Sequence, residues 1–154
     1  MIGRRLTDEP RHTPTPIELG SVANRVRVNA GLRVLAWNPS LAAAALDHAR
    51  DLVASRRFSH TGSDGSDVMA RVRRHSSEWQ LLGENLASGQ EVPGEAITGW
   101  LNSPGHRENL LRPEFTYHGT AVIPLSPRPM TLPGFMWVQV YGHPVQSPFR
   151  LLIR

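Results

Sequence analysis

Apolar residues recur at helical spacing through the first two thirds of the chain and gather into short Val, Ile and aromatic runs in the last third, with turn chemistry between them. Thr15-Pro16-Ile17-Glu18 has the form of a capping box with proline at the first helical position, and predicts a helix running to about Asn29 and ended by Gly31. Leu32–Trp37 then leads to Asn38-Pro39-Ser40, where Asn38 caps and Pro39 opens a second helix ending near Arg57. Leu41, Ala45, His48 and Leu52 share one face of it, which puts His48 on the core side as a packing histidine. Thr61–Asp64 with Gly65 is a turn, and Ser66 is the expected cap of a third helix reaching about Arg74, with Val68, Met69 and Val72 facing inward.

After a loop, Glu84–Ala87 lies between glycines and is expected as a short extended, close-packed stretch. A fourth helix over Pro93–Leu101 buries Ile97 and Trp100, and Ser103-Pro104-Gly105-His106 starts another short helix that ends before Pro113. His118–Ile123 and Phe135–Tyr141 read as two antiparallel strands joined by a Pro-rich connection. Trp37, Trp100 and Trp137 are expected as core anchors, whereas Trp79, among polar residues in the variable loop, is a candidate for lining a cleft. Residues 1–14 are expected as a disordered arm, 15–145 as one domain and 146–154 as a short extension.

Composition narrows the picture. At 154 residues, 40% hydrophobic and 19% charged, the chain suits one soluble core. Without cysteine there is neither a disulfide framework nor a thiolate metal site. The basic residues are all arginine and are spread along the chain, with a net charge of +4, and no nucleic-acid-binding signature accompanies them, so no nucleic-acid partner is expected. Arg71, Arg73 and Arg74 read as a solvated helix face. No transmembrane segment is expected, and Met1–Pro10 meets acidic residues and a proline before any apolar run of signal-peptide length.

Five motifs occur in order: Asn29-Ala30-Gly31-Leu32 with the Leu35-x-Trp37-Asn38-Pro39 run, Phe58-Ser59-His60, Gly83-Glu84-Asn85-Leu86-Ala87, Ser103-Pro104-Gly105-His106-Arg107-x-Asn109-Leu110, and Trp137-Val138-Gln139-Val140-Tyr141-Gly142. Together they resemble the bacterial, SCP-like extracellular branch of the CAP superfamily over roughly residues 18–143. The resemblance implies an α+β fold, a three-layer α-β-α sandwich with a small central antiparallel sheet, and an extracellular or cell-envelope location. It also implies a cleft carrying two histidines and two acidic residues, which in some members holds a divalent cation.

On that pattern His60 and Glu84 match the family's residues. The second acidic position falls near Ser103 and the second histidine near Met136, so both are missing, and His106 is the candidate replacement. Two imidazoles and a carboxylate, His60, His106 and Glu84, would suit zinc, although no cofactor is required. The plainer reading has Glu84 accepting hydrogen bonds from His60 and nearby backbone amides, with Asn85 bridging loop groups. Ser103 reads as a helix cap rather than a nucleophile served by His106. A non-catalytic cleft binding a lipid, sterol or cell-wall component is favoured, and a cleft hydrolase using His60, Glu84 and His106 is the alternative.

Overall fold

The computed structural model of the chain describes residues 12–126 and 134–146. Residues 1–11 of the arm expected at 1–14, residues 127–133 of the Pro-rich connection and residues 147–154 of the extension expected at 146–154 lie outside the described residues. Helix α1 (Pro16–Asn29) begins at the predicted capping box, with Thr15 Oγ1 accepting from the Glu18 amide and Glu18 accepting from the Thr15 amide. Just before it, His12 contacts Glu18 and Pro14 is buried, so residues 12–14 do pack on the domain.

Strand β1 (Ala36–Trp37) is followed by α2 (Pro39–Ser55), capped by the Asn38 side chain and closed by Arg56 in the left-handed region. Helix α3 (Val68–Arg73) is capped by Asp67 and not, as expected, by Ser66: the Asp67 carboxylate reaches the Ala70 amide, while Ser66 is buried and lends its carbonyl to Arg71. Strand β2 (Trp79–Ser88) is ten residues long, much longer than the stretch at 84–87, because its ladder with the last strand carries on to Pro144. Helices α4 (Pro93–Leu101) and α5 (Pro104–Leu110) precede β3 (Tyr117–Pro124) and β4 (Phe135–Pro144).

The sheet order is β1-β3-β4-β2, with β2 and β3 antiparallel to the central β4. The expected antiparallel sheet is formed by β2, β4 and β3, and the two residues of β1 add a short parallel edge to it. Side-chain alternation sends Leu86, Val138 and Val140 to one face, under Leu41, Ala45, Ala49 and Leu52 of α2. On the other face Trp137 packs with Leu19, Val22, Ile97, Trp100 and Leu110 from α1, α4 and α5. Trp100 and Trp137 are core anchors as expected, each donating its indole N–H to a carbonyl, of Leu86 and Gln90 respectively. Trp37 is not: it sits on the short edge strand and is 41% exposed.

Two unusual tolerances hold the layers at this spacing. A Cβ built on Gly119 would stand 2.0 Å from the Ala42 amide nitrogen, so the first turn of α2 lies directly on β3 only because that position has no side chain. Arg27 of α1 is wholly buried and donates to the carbonyls of Arg33, Leu110, Arg112 and Phe115, tying α1 to the end of α5 and the segment after it. A guanidinium presents several donors in a fixed fork, which is what such a set of acceptors requires.

Gly119→Ala is expected to lower stability by about 3 kcal/mol or to prevent folding, because the obstructing atoms are backbone. Gly99→Ala, on the open face of α4 with nothing within 4 Å, is expected to raise it by about 0.5–1 kcal/mol. Urea denaturation of both variants checks the contrast.

Candidate functional site

Consecutive residues of β2 point to opposite faces of the sheet, and at Glu84 and Asn85 both are polar and buried. Because β2 is an edge strand, each grips the segment that rises on its own side. Glu84, with a side chain only 2% exposed, faces α2 and α3. Its Oε2 accepts from Arg71 Nη2 at 2.8 Å and its Oε1 from His60 Nδ1 at 2.9 Å. Arg71, itself 3% exposed, also donates to the carbonyls of His60 and Ser66, so the loop from Ser59 to Ser66 hangs on its guanidinium. This overturns the reading of Arg71 as part of a solvated face. Of the expected partners of Glu84, His60 is present, and Arg71 stands where backbone amides had been expected.

His48 completes this side. It is fully buried, as predicted, donates Nε2–H to the Ser59 carbonyl at 2.8 Å, and lies 3.7 Å from Glu84. Burial lowers its pKa, against the opposing pull of Glu84. The His60 pKa moves the other way, because its bond to Glu84 favours the imidazolium. The His60 side chain remains 61% exposed.

Asn85 serves the other face. Its Nδ2 donates to the His106 carbonyl and to Tyr141 Oη, and its Oδ1 accepts from Asn109, which also reaches the Glu84 carbonyl. These bonds seat α5 against the strand and set His106 beside the edge, near enough to His60 that a charge on His60 adds to burial in lowering the His106 pKa. The line continues inward: Tyr141 donates to Gln139, and Gln139 donates to His118 Nδ1. Sequence reasoning assigned His118 no role, and its position as the end of a buried polar chain depends on β3–β4 register that local pattern does not carry.

Ser103 occupies the N-cap position of α5, yet its hydroxyl makes no capping bond and stands 2.9 Å from His106 Nδ1. The cap expectation is corrected on this point: the Ser103 side chain is spent on an imidazole and leaves the first-turn amides alone. Trp79 is not brought to the site. It packs edge-on against Tyr117 and over Gly142, about 17 Å along β2 from Glu84.

A zinc ion held by His60, Glu84 and His106 does not fit this arrangement. Both Glu84 oxygens are committed, one of them to a guanidinium, and among the described residues no three His, Cys, Asp or Glu side chains are grouped so as to hold a metal ion. What remains outward-facing is a polar surface of two imidazoles and a hydroxyl.

Two outcomes follow. Arg71→Met leaves the Glu84 charge buried without its cation and is expected to cost about 3–5 kcal/mol, much of it recovered in the Arg71→Met, Glu84→Leu double variant. Chemical denaturation of the three proteins measures this. As for pH, burial lowers His118 from 6.5 to about 4, and His48 is lowered too, so the unfolded chain binds these protons more readily. Stability is therefore expected to fall as pH drops from about 6.5 toward 4, by roughly 3 kcal/mol for His118 alone, with His118→Gln flattening the slope. His60 acts in the opposite sense: its contribution is complete below about 6.5 and is lost as pH rises through its folded value.

The same fold and sequence pattern occur in known proteins. The cysteine-rich secretory protein (CAP) family pattern matches residues 21–141. An extracellular protein containing a SCP domain from Bacillus anthracis is 30% identical and superposes with a TM-score of 0.73, over 82% of this chain and 39% of that one. An outer surface protein from Borrelia burgdorferi gives 0.73 at 26% identity, over 82% and 90% of the two chains. The membrane protein YlbC of Bacillus subtilis, of uncharacterised function, is 32% identical over 110 residues, 71% of this chain. This chain spans 32% of the length of YlbC and 40% of that of its second B. subtilis relative, YkwD. With the pattern running through both gripping residues and the folds superposing, the chain belongs to the cysteine-rich secretory protein (CAP) family.

Proposed function

We propose that this chain is an exported binding module whose β2 edge recognises a polar cell-wall component through His60, Ser103 and His106. The carrying observation is the state of Glu84. Its carboxylate is buried, with one oxygen on Arg71 and the other on His60, so it holds the site's shape and is withheld from a bound molecule. A general base needs an oxygen within reach of the proton it takes. The groups left to meet a ligand are hydrogen-bonding ones, which favours a polar ligand over a lipid or sterol needing an apolar lining. Export is supported by the printed descriptions of the structural relatives, one extracellular and one of the outer surface. Among the described residues no helix is long and apolar enough to cross a membrane.

One observation favours a second reading, a hydrolase: Ser103 Oγ lies 2.9 Å from His106 Nδ1, a distance at which a neutral imidazole can take a hydroxyl proton. Burial keeps His106 toward its neutral form.

Titration with soluble disaccharide-peptide wall fragments, followed by amide NMR, tests both. Binding is expected to shift residues around His60 and His106 saturably, and the His60→Ala, His106→Ala double variant is expected to bind about tenfold more weakly, or about 1.4 kcal/mol. Failure of the fragments to shift these residues rejects the binding reading. Covalent labelling of Ser103 by a fluorophosphonate, lost in His106→Ala, would establish the hydrolase instead.

A further inference from the structure

The opposite edge of the sheet carries a second set of features that the reading above does not use. Between α1 and β1 lies a groove of about 250 Å³, bordered by Ile17, Gly20, Ser21, Trp37 and His118. Trp37 keeps 41% of its surface exposed there, standing edge-on to the His118 ring at 5.8 Å between centroids. Among the described residues no aromatic ring stacks face-on against this indole, which leaves its face open as a platform.

The groove wall also holds an unspent donor. His118 is 3% exposed, and its Nδ1 accepts from Gln139, so the neutral ring carries its proton on Nε2. No described residue accepts from that N–H. The N–H faces the groove, where an incoming acceptor can take the place of water. Gly20 keeps the imidazole at the groove, since a Cβ there would come within 2.8 Å of His118 Cε1. By contrast the Asn24 amide, on the same wall, is bonded through both its nitrogen and its oxygen to the Leu35 backbone.

Charge selects the ligand. None of the described residues bordering the groove is Lys, Arg, Asp or Glu, and burial holds His118 neutral down to about pH 4. Among these bordering residues an anion would find no cation, and a wholly apolar ring would leave the imidazole N–H without an acceptor. A sugar ring meets both demands, with a C–H face for the indole and oxygens that accept hydrogen bonds.

We infer that the groove between α1 and β1 binds one neutral sugar ring, stacked on Trp37 with a ring substituent oxygen accepting from His118 Nε2 and a second contact to the Ser21 hydroxyl. The site lies on the β1 edge, away from His60 and His106 on the β2 edge, so the two readings stand or fall separately.

NMR titration of the full chain at pH 7 with glucose, N-acetylglucosamine and tri-N-acetylchitotriose tests it, with cyclohexanecarboxylate as an anionic ring of similar size. At least one sugar is expected to shift the Trp37 indole N–H and the Gly20 and Ser21 amides saturably, with Kd of about millimolar, while the carboxylate leaves them unmoved. Trp37→Ala, with a spectrum unchanged outside the groove, is expected to weaken this at least tenfold, and Trp37→Phe to retain part of it. The inference is overturned by sugars that leave Trp37 silent at saturation of the titration, by shifts confined to His60 and His106, or by equal shifts with the carboxylate. Trp37 signals that move with protein concentration alone would overturn it too, since a second copy would then be covering the groove.

Discussion

The ion pair between Glu84 and Arg71 is the constraint around which one side of the molecule is arranged. Both charges are out of water, and moving each of them there costs several kcal/mol that only close pairing and further hydrogen bonds can offset. The further bonds are those Arg71 makes to the carbonyls of His60 and Ser66 and the one His60 makes to Glu84. The chain between α2 and α3 is thereby shaped by what the buried pair needs. His60 sits at the edge of the sheet because its backbone satisfies the guanidinium and its ring satisfies the carboxylate.

On the reverse face Asn85 does the corresponding work without charge. It offers donors and an acceptor at once, and meets the His106 carbonyl, Tyr141 and Asn109 with them. Two adjacent residues of one edge strand therefore hold two unrelated segments in place, and the alternation of the strand is what lets them do so on opposite sides. The outward-facing histidines meet at that edge although they belong to different layers.

Much of this was legible in the sequence where the signal is local. Thr15 with Glu18, Asn38 before Pro39, and the spacing of Leu41, Ala45, His48 and Leu52 are short-range patterns, and each predicted what α1 and α2 became. Ordered motifs identified the family and singled out His60 and Glu84. What stayed hidden depends on partners distant in the chain. Arg71 looks like any surface arginine until Glu84, thirteen residues on, is folded beside it. The length of β2 is set by β4, and the exposure of Trp37 by the brevity of an edge strand that pairs in parallel with β3. Ser103 misled because the helix-start pattern fixes its backbone and leaves open which group its hydroxyl chooses.

Arg27 differs in kind from the histidines that surround the two sheet edges. Its four acceptors are carbonyls, which neither gain nor lose protons in any ordinary medium, and a guanidinium stays charged throughout that range even though burial lowers its pKa. The clasp between α1 and the end of α5 is thus indifferent to acidity, while the bonds of His60, His48 and His118 are not. In an acidified medium the molecule would loosen unevenly, with the segment around Leu110 to Phe115 still fastened to α1 after the imidazole contacts had changed state.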